Sequence, residues 1–178
     1  MPLDSAAVTD QTQTPPQDTT PTAERIEAER IIPASPADIF AVLTDPDGHV
    51  AIDASGMLQS AEGIPVSAVG DRFVVHMDRE ALGDYPMGKY DVTVIITRLE
   101  PARAIEWTID GTIKPPIGHR FGYALEQLDS GDTRVTSYCD WSTALPEWKP
   151  IFPVIDQKSI RATLGILDRA VRRGYPRP

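Results

Sequence analysis

The apolar repeat near the end of the chain most strongly constrains the fold. Residues 154–174, "VIDQKSIRATLGILDRAVRRG", carry apolar side chains at intervals of four, three and four residues. These side chains are Ile160, Leu164, Leu167 and Val171. Such spacing places them on one face of a helix. At 1.5 Å per residue the predicted helix is roughly 30 Å long, which is enough to cross a whole domain.

Strand signals precede this helix. In "AIEWTIDG", residues 104–111, Ile105, Trp107 and Ile109 alternate with polar side chains, which is typical of a strand with one buried face. Further strand signals occupy residues 71–77, 89–101, 119–128 and 133–142. We therefore expect about six antiparallel strands, and the "DSGD" at 129–132 indicates a hairpin turn between the last two.

The start of the folded region predicts a strand that hands over abruptly to short helices. A first strand is expected over residues 24–32, and Pro33 ends it because proline cannot donate a ladder hydrogen bond. Ser35 is a candidate N-cap, and Pro36 suits the first helical position. A second short helix or an irregular turn is expected within residues 45–56.

Residues 1–22 differ in composition from the rest of the chain. They are rich in Thr, Gln, Pro and Asp and contain one Leu, one Val and no aromatic residue. Such a segment cannot bury enough apolar area to offset its ordering entropy, so we expect a disordered tail. The remaining residues, 23–178, show no repeat and no second composition shift, which indicates a single domain.

Charge and cysteine content narrow the classes of function. The net charge of −9 disfavours binding to nucleic acid and docking on anionic lipid, because both depend on Lys and Arg. The single cysteine excludes an intrachain disulfide and fits a reducing compartment. No apolar stretch is long enough to span a bilayer, and no secretory signal is visible, so a cytoplasmic location is expected.

The order of these elements resembles the START-like superfamily, also called SRPBCC, which includes polyketide cyclase/dehydrase and lipid-transport families. The resemblance covers roughly residues 24–174, and its most specific parts are "IIPASPADIFAVLTDP", "HVAIDASG", "VGDRF" and "TRVTSYCDWS". It implies an α+β helix-grip fold, as in Bet v 1-like proteins. In that fold a curved antiparallel sheet wraps around a long C-terminal helix, and two short helices follow the first strand. A ligand cavity between sheet and helix is then expected, typically of about 300–1,000 Å³.

The titratable candidates for proton transfer are His76, Tyr138 and Asp140. His76 lies mid-strand, opposite Val75 in the alternation, where it is either a general acid or base at the cavity or a surface histidine on the convex face. Tyr138 and Asp140 point away from Val135 and Cys139 by alternation, so their role depends on which face lines the cavity. No metal site and no cofactor are expected, because the three histidines and the lone cysteine show no ligand spacing.

Aromatic and helical side chains are the candidates for ligand binding. Aromatic residues supply much apolar area, although each of them is as compatible with plain core packing. The candidates are Trp107, Phe121, Tyr123, Trp141, Leu164 and Leu167. Cys139 is expected to be a small buried hydrophobe rather than a nucleophile. Asp53 and Ser55 fit either a pocket mouth or a turn, and the loop 80–88 is either a gate or a bland exposed loop.

Three functions remain open at this point. The favoured hypothesis is binding of a small hydrophobic molecule, such as a lipid, a polyketide or an aromatic metabolite. The first alternative is a cyclase/dehydratase-type enzyme that uses the same cavity, and much of its rate gain would come from orientation. The second is a protein-interaction module of the chaperone-activator type, which requires an exposed apolar patch of several hundred Å².

Overall fold

A computed structural model describes residues 23–176, and the predicted N-terminal tail, 1–22, lies outside this range. Seven strands and three α-helices follow one another along these residues. Their bounds are β1 (Arg25–Ile32), α1 (Pro36–Thr44), α2 (Pro46–Ala51), β2 (Leu58–Glu62), β3 (Arg72–Asp78), β4 (Lys89–Glu100), β5 (Ala104–Asp110), β6 (Arg120–Gln127), β7 (Thr133–Asp140) and α3 (Gln157–Arg172). Short 3₁₀ helices occupy Glu80–Leu82 and Pro146–Ile151.

The handover from β1 to α1 follows the local chemistry that the sequence predicts. The Oγ atom of Ser35 accepts a hydrogen bond from the backbone N–H of Asp38 at 3.2 Å, which makes Ser35 the N-cap. Pro36 occupies the first turn of α1. Asp45 then ends α1 and caps α2 by accepting from the N–H of Asp47 at 3.1 Å. Only Asp45 therefore separates the two short helices that follow β1.

The strands form one antiparallel sheet in the order β1-β7-β6-β5-β4-β3-β2. The first and last strands of the chain are thus neighbours, which brings the segment that leads into α3 beside the start of the domain. With α3 lying against the inner face of this curved sheet, the predicted α+β helix-grip fold is confirmed. Among residues 23–176, no helix is long and apolar enough to cross a membrane.

Two elements, β2 and α3, differ from the sequence prediction. β2 was not expected, and its pairing with β3 is interrupted by a register shift between Leu58 and Ser60, so its apolar side chains do not alternate cleanly. Helix α3 is 16 residues long and begins at Gln157 instead of near residue 154. Its N-cap is Asp156, whose carboxylate accepts from the N–H of Ser159 at 2.7 Å.

The position of α3 determines where space remains over the sheet. Its buried side chains Ile160, Leu164 and Leu167 pack mainly against β1, with further contacts to α1 and β7. The inner face of β3, β4 and β5 lies farther from this helix. Two inward-facing side chains of β5, Trp107 and Ile109, remain partly exposed although their neighbour Ile105 is fully buried. The helix therefore covers the part of the inner face that β1 and β7 form, and it leaves the part that β3, β4 and β5 form uncovered.

Candidate ligand cavity

The uncovered part of the inner face forms a cavity of about 370 Å³. Its floor consists of inward-facing side chains of β3 to β6, and the first half of α3 closes one side with Ile160 and Thr163. Loops at one end of the sheet surround its mouth, namely residues 53–57, 79–90, 111–117 and 154–155. The volume lies within the range of small-molecule sites.

An aromatic wall crosses the floor of the cavity. The ring centroid of Trp107 on β5 lies 6.1 Å from that of Phe121 and 6.0 Å from that of Tyr123, both on β6. All three side chains lie at positions of their strands that face inward. These three sequence-predicted residues are therefore brought together at the cavity.

His49 on α2 lies at one edge of this wall and was not predicted. Its ring packs edge-on against Trp107 at 4.8 Å and against Phe73 at 4.9 Å. The Nε2 atom lies 2.9 Å from the carbonyl oxygen of Leu43, which fixes Nε2 as the protonated nitrogen. Burial lowers the pKa of His49 to about 4, so the ring is neutral at pH 7.

His119 lies at the opposite edge of the wall, immediately before β6. Its ring centroid is 5.2 Å from that of Phe121 and 5.1 Å from that of Phe152. The side chain is buried, and its Nδ1 atom has no hydrogen-bond partner among residues 23–176. Burial lowers the pKa of His119 to about 4. The signal that predicts it is strand parity, because residues 119, 121 and 123 share the inward face.

The hydroxyl group of Tyr123 adds a third polar group to the cavity wall. Burial raises the pKa of Tyr123 to about 12, the hydrogen bond to Ser137 acts in the opposite direction, and the Asp53 carboxylate raises it further. Asp53 itself accepts from the backbone N–H groups of Ser55 at 2.9 Å and Leu58 at 3.0 Å. Asp53 and Ser55 thus build the turn after α2 and also line the cavity, which unites the two alternatives that the sequence left open.

The mouth of the cavity combines methionines with one ion pair. The guanidinium group of Arg79 lies 2.6 Å from the carboxylate of Asp84, and this partner holds the pKa of Asp84 down to about 2. The loop 80–88, for which the sequence left both a gate and an exposed loop open, contributes Met87 to the lining, and its Tyr85 is 61% exposed. This loop therefore borders the opening.

His76 lies on the outer face of the sheet. Its Nδ1 atom is 2.7 Å from a carboxylate oxygen of Asp91, and its Nε2 atom is 3.0 Å from one of Glu62. These hydrogen bonds raise the pKa of His76, the Asp91 contact contributing most. The side chain does not contribute to the cavity lining. His76 therefore occupies the convex surface position that was the alternative to a catalytic role.

Tyr138 is among the residues that line the cavity, but its hydroxyl group is directed away from it, and Asp140 lies outside the lining. The hydroxyl group of Tyr138 donates to Glu106 at 3.0 Å on the outer face, and the Arg25 guanidinium lies 3.8 Å from the ring centroid. The Asp140 carboxylate accepts from the N–H of Ser142 at 2.9 Å. β7 buries Val135 and Cys139 on its inner side, and Tyr138 is also buried, although it lies on the other side of the strand under the Arg25 guanidinium.

The other three ligand-binding candidates lie outside the cavity lining. Trp141 follows the end of β7 and stacks on Phe152 at 5.4 Å between ring centroids, in a small cluster with Cys139. Leu164 and Leu167 are fully buried where α3 meets β1, so packing explains them. Burial raises the pKa of the Cys139 thiol to about 12, as expected for a buried hydrophobe.

The described residues contain no group of three His, Cys, Asp or Glu side chains placed to hold a metal ion. What the cavity offers instead is an aromatic floor with neutral polar groups beside it, and with the charged side chains of Asp53 and Arg79 in the loops at its mouth. Two buried imidazoles, one buried phenol and one buried serine hydroxyl are arranged around an apolar space. Such a site binds apolar molecules and orients them by a small number of hydrogen bonds.

A comparison with known sequences finds relatives that match part of the chain. The chain is similar to an uncharacterised protein of Mycobacterium tuberculosis strain H37Rv, with 30% identity over 121 residues. The match covers 67% of this chain and 49% of the relative, so the chain spans about half the length of the curated relatives it matches. No family model matches the chain.

Solved structures share the fold at low sequence identity. The Aha1 dimer from Colwellia psychrerythraea has a TM-score of 0.56 at 20% identity, over 85% of this chain and 98% of that chain. DynU16, from the dynemicin biosynthetic locus, has a TM-score of 0.55 at 15% identity, over 86% of this chain and 49% of that chain. Ara h 8.0201 has a TM-score of 0.55 at 18% identity, over 84% and 98%.

Proposed function

We propose that this protein, which has the helix-grip fold of the START-like (SRPBCC) superfamily, binds a small hydrophobic molecule in its cavity. The observation that carries the proposal is the space of about 370 Å³ between the sheet and α3. Apolar side chains around it remain partly exposed, and burying such surface is favourable. A ligand therefore completes a core that the protein's own side chains leave incomplete.

The energetics of burial are consistent with a modest affinity. Burying about 300 Å² of apolar ligand surface at about 25 cal/mol/Å² yields about 7 kcal/mol before costs. The loss of translational and rotational freedom reduces this figure. We therefore expect a dissociation constant in the micromolar range or weaker for a ligand that makes only apolar contacts.

The wall chemistry favours a flat ring system among the candidate ligands. Trp107, Phe121 and Tyr123 present ring faces or edges along the floor, and aromatic pairs gain about 0.5–1.5 kcal/mol beyond area burial. A folded polyketide or an aromatic metabolite makes fuller use of these contacts than a single acyl chain does.

Native mass spectrometry of the purified protein tests the proposal. We expect a co-purified apolar ligand, or binding of an added one, and loss of that binding when the cavity is filled. The filling variant is Thr163→Trp, because Thr163 lines the cavity from α3. The matched control is Ala162→Trp, which places the same ring at an exposed position of the same helix. Equal binding by the two variants, or no binding by the wild type, contradicts the proposal.

A cyclase/dehydratase-type activity is the second candidate, favoured by the titratable groups on the cavity wall. His119 and Tyr123 are buried beside the space that a folded poly-keto chain would occupy. Positioned groups of this kind transfer protons in such reactions. Incubation with a poly-β-keto thioester tests it: mass spectrometry should detect a product lighter by one water, formed faster than in the Thr163→Trp variant.

A further inference from the structure

We infer that His119 selects the ligand, by hydrogen-bonding a hydroxyl group of a neutral molecule that lies on the aromatic wall. This inference rests on the proposed function and deepens it, because it states which ligands the cavity prefers. It also assigns a binding role to a residue outside the set that the sequence pattern singled out.

The first observation is an imidazole on the cavity lining whose hydrogen bonds are incomplete. The His119 side chain lines the cavity and is 4% exposed. Its Nδ1 atom is enclosed by protein and unpaired, and no described residue hydrogen-bonds its Nε2 atom, which is the ring nitrogen left for a ligand. Leaving a buried polar atom unpaired costs about 1–3 kcal/mol. His49 differs from His119 in this respect, because the Leu43 carbonyl already serves as its partner. His119 is therefore the histidine of this wall that a ligand would complete.

The second observation concerns the chemical group that fits. At neutral pH the buried imidazole is neutral, so one ring nitrogen donates and the other accepts. A hydroxyl group both donates and accepts and thus pairs with either nitrogen. An ether accepts from the donor nitrogen but cannot pair with the acceptor nitrogen, and a methyl group pairs with neither, so both gain less.

The third observation is the charge of the lining. Arg79 is the only Lys or Arg among the lining residues of the described chain, and Asp84 already pairs with it at 2.6 Å. The Asp53 carboxylate lies on the same lining. A carboxylate ligand would lose its hydration without gaining a counter-ion, which costs more than burying a neutral group. The lining therefore selects against anions.

The geometry joins these observations. The His119 ring stands at 80° to that of Phe121, with 5.2 Å between their centroids, and Phe121 adjoins Trp107. A planar ligand that lies along Trp107 and Phe121 therefore brings a substituent at its edge close to the His119 imidazole.

Three probes of one shape test the inference by calorimetry at pH 7.5. 2-Naphthol carries the hydroxyl group, 2-methoxynaphthalene lacks the donor, and 2-naphthoate is anionic. We expect 2-naphthol to bind about tenfold more tightly than 2-methoxynaphthalene, in keeping with one net hydrogen bond. We expect 2-naphthoate to bind more weakly than either. In His119→Phe the tenfold preference should fall to about one, while 2-methoxynaphthalene binds as before.

The control is His76→Phe, which makes the same change on the convex face and should keep the preference. If His119→Phe does not fold, the ¹⁵N shifts of the wild-type His119 ring decide the matter. These shifts should change on addition of 2-naphthol and should not change with 2-methoxynaphthalene. Equal binding of the two neutral probes overturns the role of His119 and leaves the proposed function intact. Absence of binding by all three probes also overturns it, and native mass spectrometry then judges the proposed function separately.

Discussion

The Nδ1 atom of His76 lies 2.7 Å from a carboxylate oxygen of Asp91 on the convex face of the sheet, directly across the β3–β4 ladder. His76 thus has an environment opposite to those of His49 and His119. Its partners are carboxylates and it is partly exposed, whereas the other two are buried in apolar surroundings. The convex face of the sheet therefore stabilises the protonated form of His76, whereas the buried positions of His49 and His119 favour the neutral form.

This arrangement predicts that His76 titrates at a much higher pH than His49 and His119. We expect the pKa of His76 to lie above 6.5 because Asp91 and Glu62 stabilise the imidazolium, and those of His49 and His119 to lie near 4 because burial penalises it. Side-chain ¹H–¹⁵N NMR spectra recorded from pH 3 to 9 measure all three. Asp91→Asn should lower the pKa of His76 and leave the other two unchanged. A His76 value that does not respond to this substitution contradicts the assignment.

The buried histidines also predict a pH dependence of stability. Their folded pKa of about 4 lies below the unfolded value of 6.5. The unfolded state therefore takes up protons that the folded state does not. Stability is complete above pH 6.5 and is lost as the pH falls toward 4, by about 1.4 kcal/mol per pH unit for each histidine.

Urea unfolding of the wild type and of His119→Phe at pH 7.5 and pH 5 tests this dependence. Between these pH values the wild type should lose about 2 kcal/mol more than the variant, because the variant lacks one of the two linked protons. His76→Phe serves as the control. The folded pKa of His76 is raised above its unfolded value, so His76 stabilises the fold more at pH 5 than at pH 7.5. His76→Phe should therefore lose at least as much stability between these pH values as the wild type does. Identical losses of unfolding free energy for the wild type and His119→Phe would contradict this explanation.

The sequence predicted the parity of the inner face well, and it missed the residues that break simple patterns. Clean alternation in β5 and β6 put Trp107, Phe121 and Tyr123 on buried strand faces without deciding between core and cavity, and all three line the cavity. His49 was missed because α2 has six residues, too few for a helical period to appear. Trp141 was placed at the cavity by parity, but it lies beyond the end of β7 and stacks on Phe152 instead.

The split between cavity wall and packed core depends on where α3 crosses the sheet. Leu164 and Leu167 belong to the apolar face that the sequence predicted, yet β1 and its neighbours cover them completely. Thr163, on the same helix and less apolar, reaches the cavity instead. Helical periodicity identifies a buried face, but the offset of that face toward one edge of the sheet arises from packing between distant elements.

The ion pair between Arg30 and Asp168 predicts a link between β1 and α3. The Asp168 side chain is 4% exposed and lies 2.7 Å from Arg30 and 2.7 Å from Arg172. Arg30→Ala leaves this buried carboxylate with one partner, so we expect a loss of about 1–2 kcal/mol of unfolding free energy. Arg98→Ala is the control, because its pair with Glu100 is exposed on both sides and should contribute less than about 1 kcal/mol. Urea unfolding at pH 7.5 measures both, and equal losses argue against the link.

Replacement of glycine by alanine is expected to have opposite effects on the free energy of unfolding at two positions, Gly122 and Gly165. A Cβ atom at Gly122 would lie 2.4 Å from the Tyr138 hydroxyl oxygen and 2.9 Å from the carbonyl oxygen of Ile105. Gly122→Ala should therefore displace Tyr138 from Glu106 and destabilise the protein by about 1–3 kcal/mol, as overpacking does.

Gly165→Ala is the matched change within α3, where a Cβ atom meets nothing within 4 Å. Here alanine reduces the entropy of the unfolded chain and favours the helix, so we expect a gain of about 0.5–1 kcal/mol. Thermal and urea unfolding of both variants measure the two signs. The Gly122→Ala loss should shrink in a Tyr138→Leu background, because the smaller side chain no longer reaches the position of the new methyl group. A loss that persists in full there would place the conflict at the backbone of β5 and not at the tyrosine.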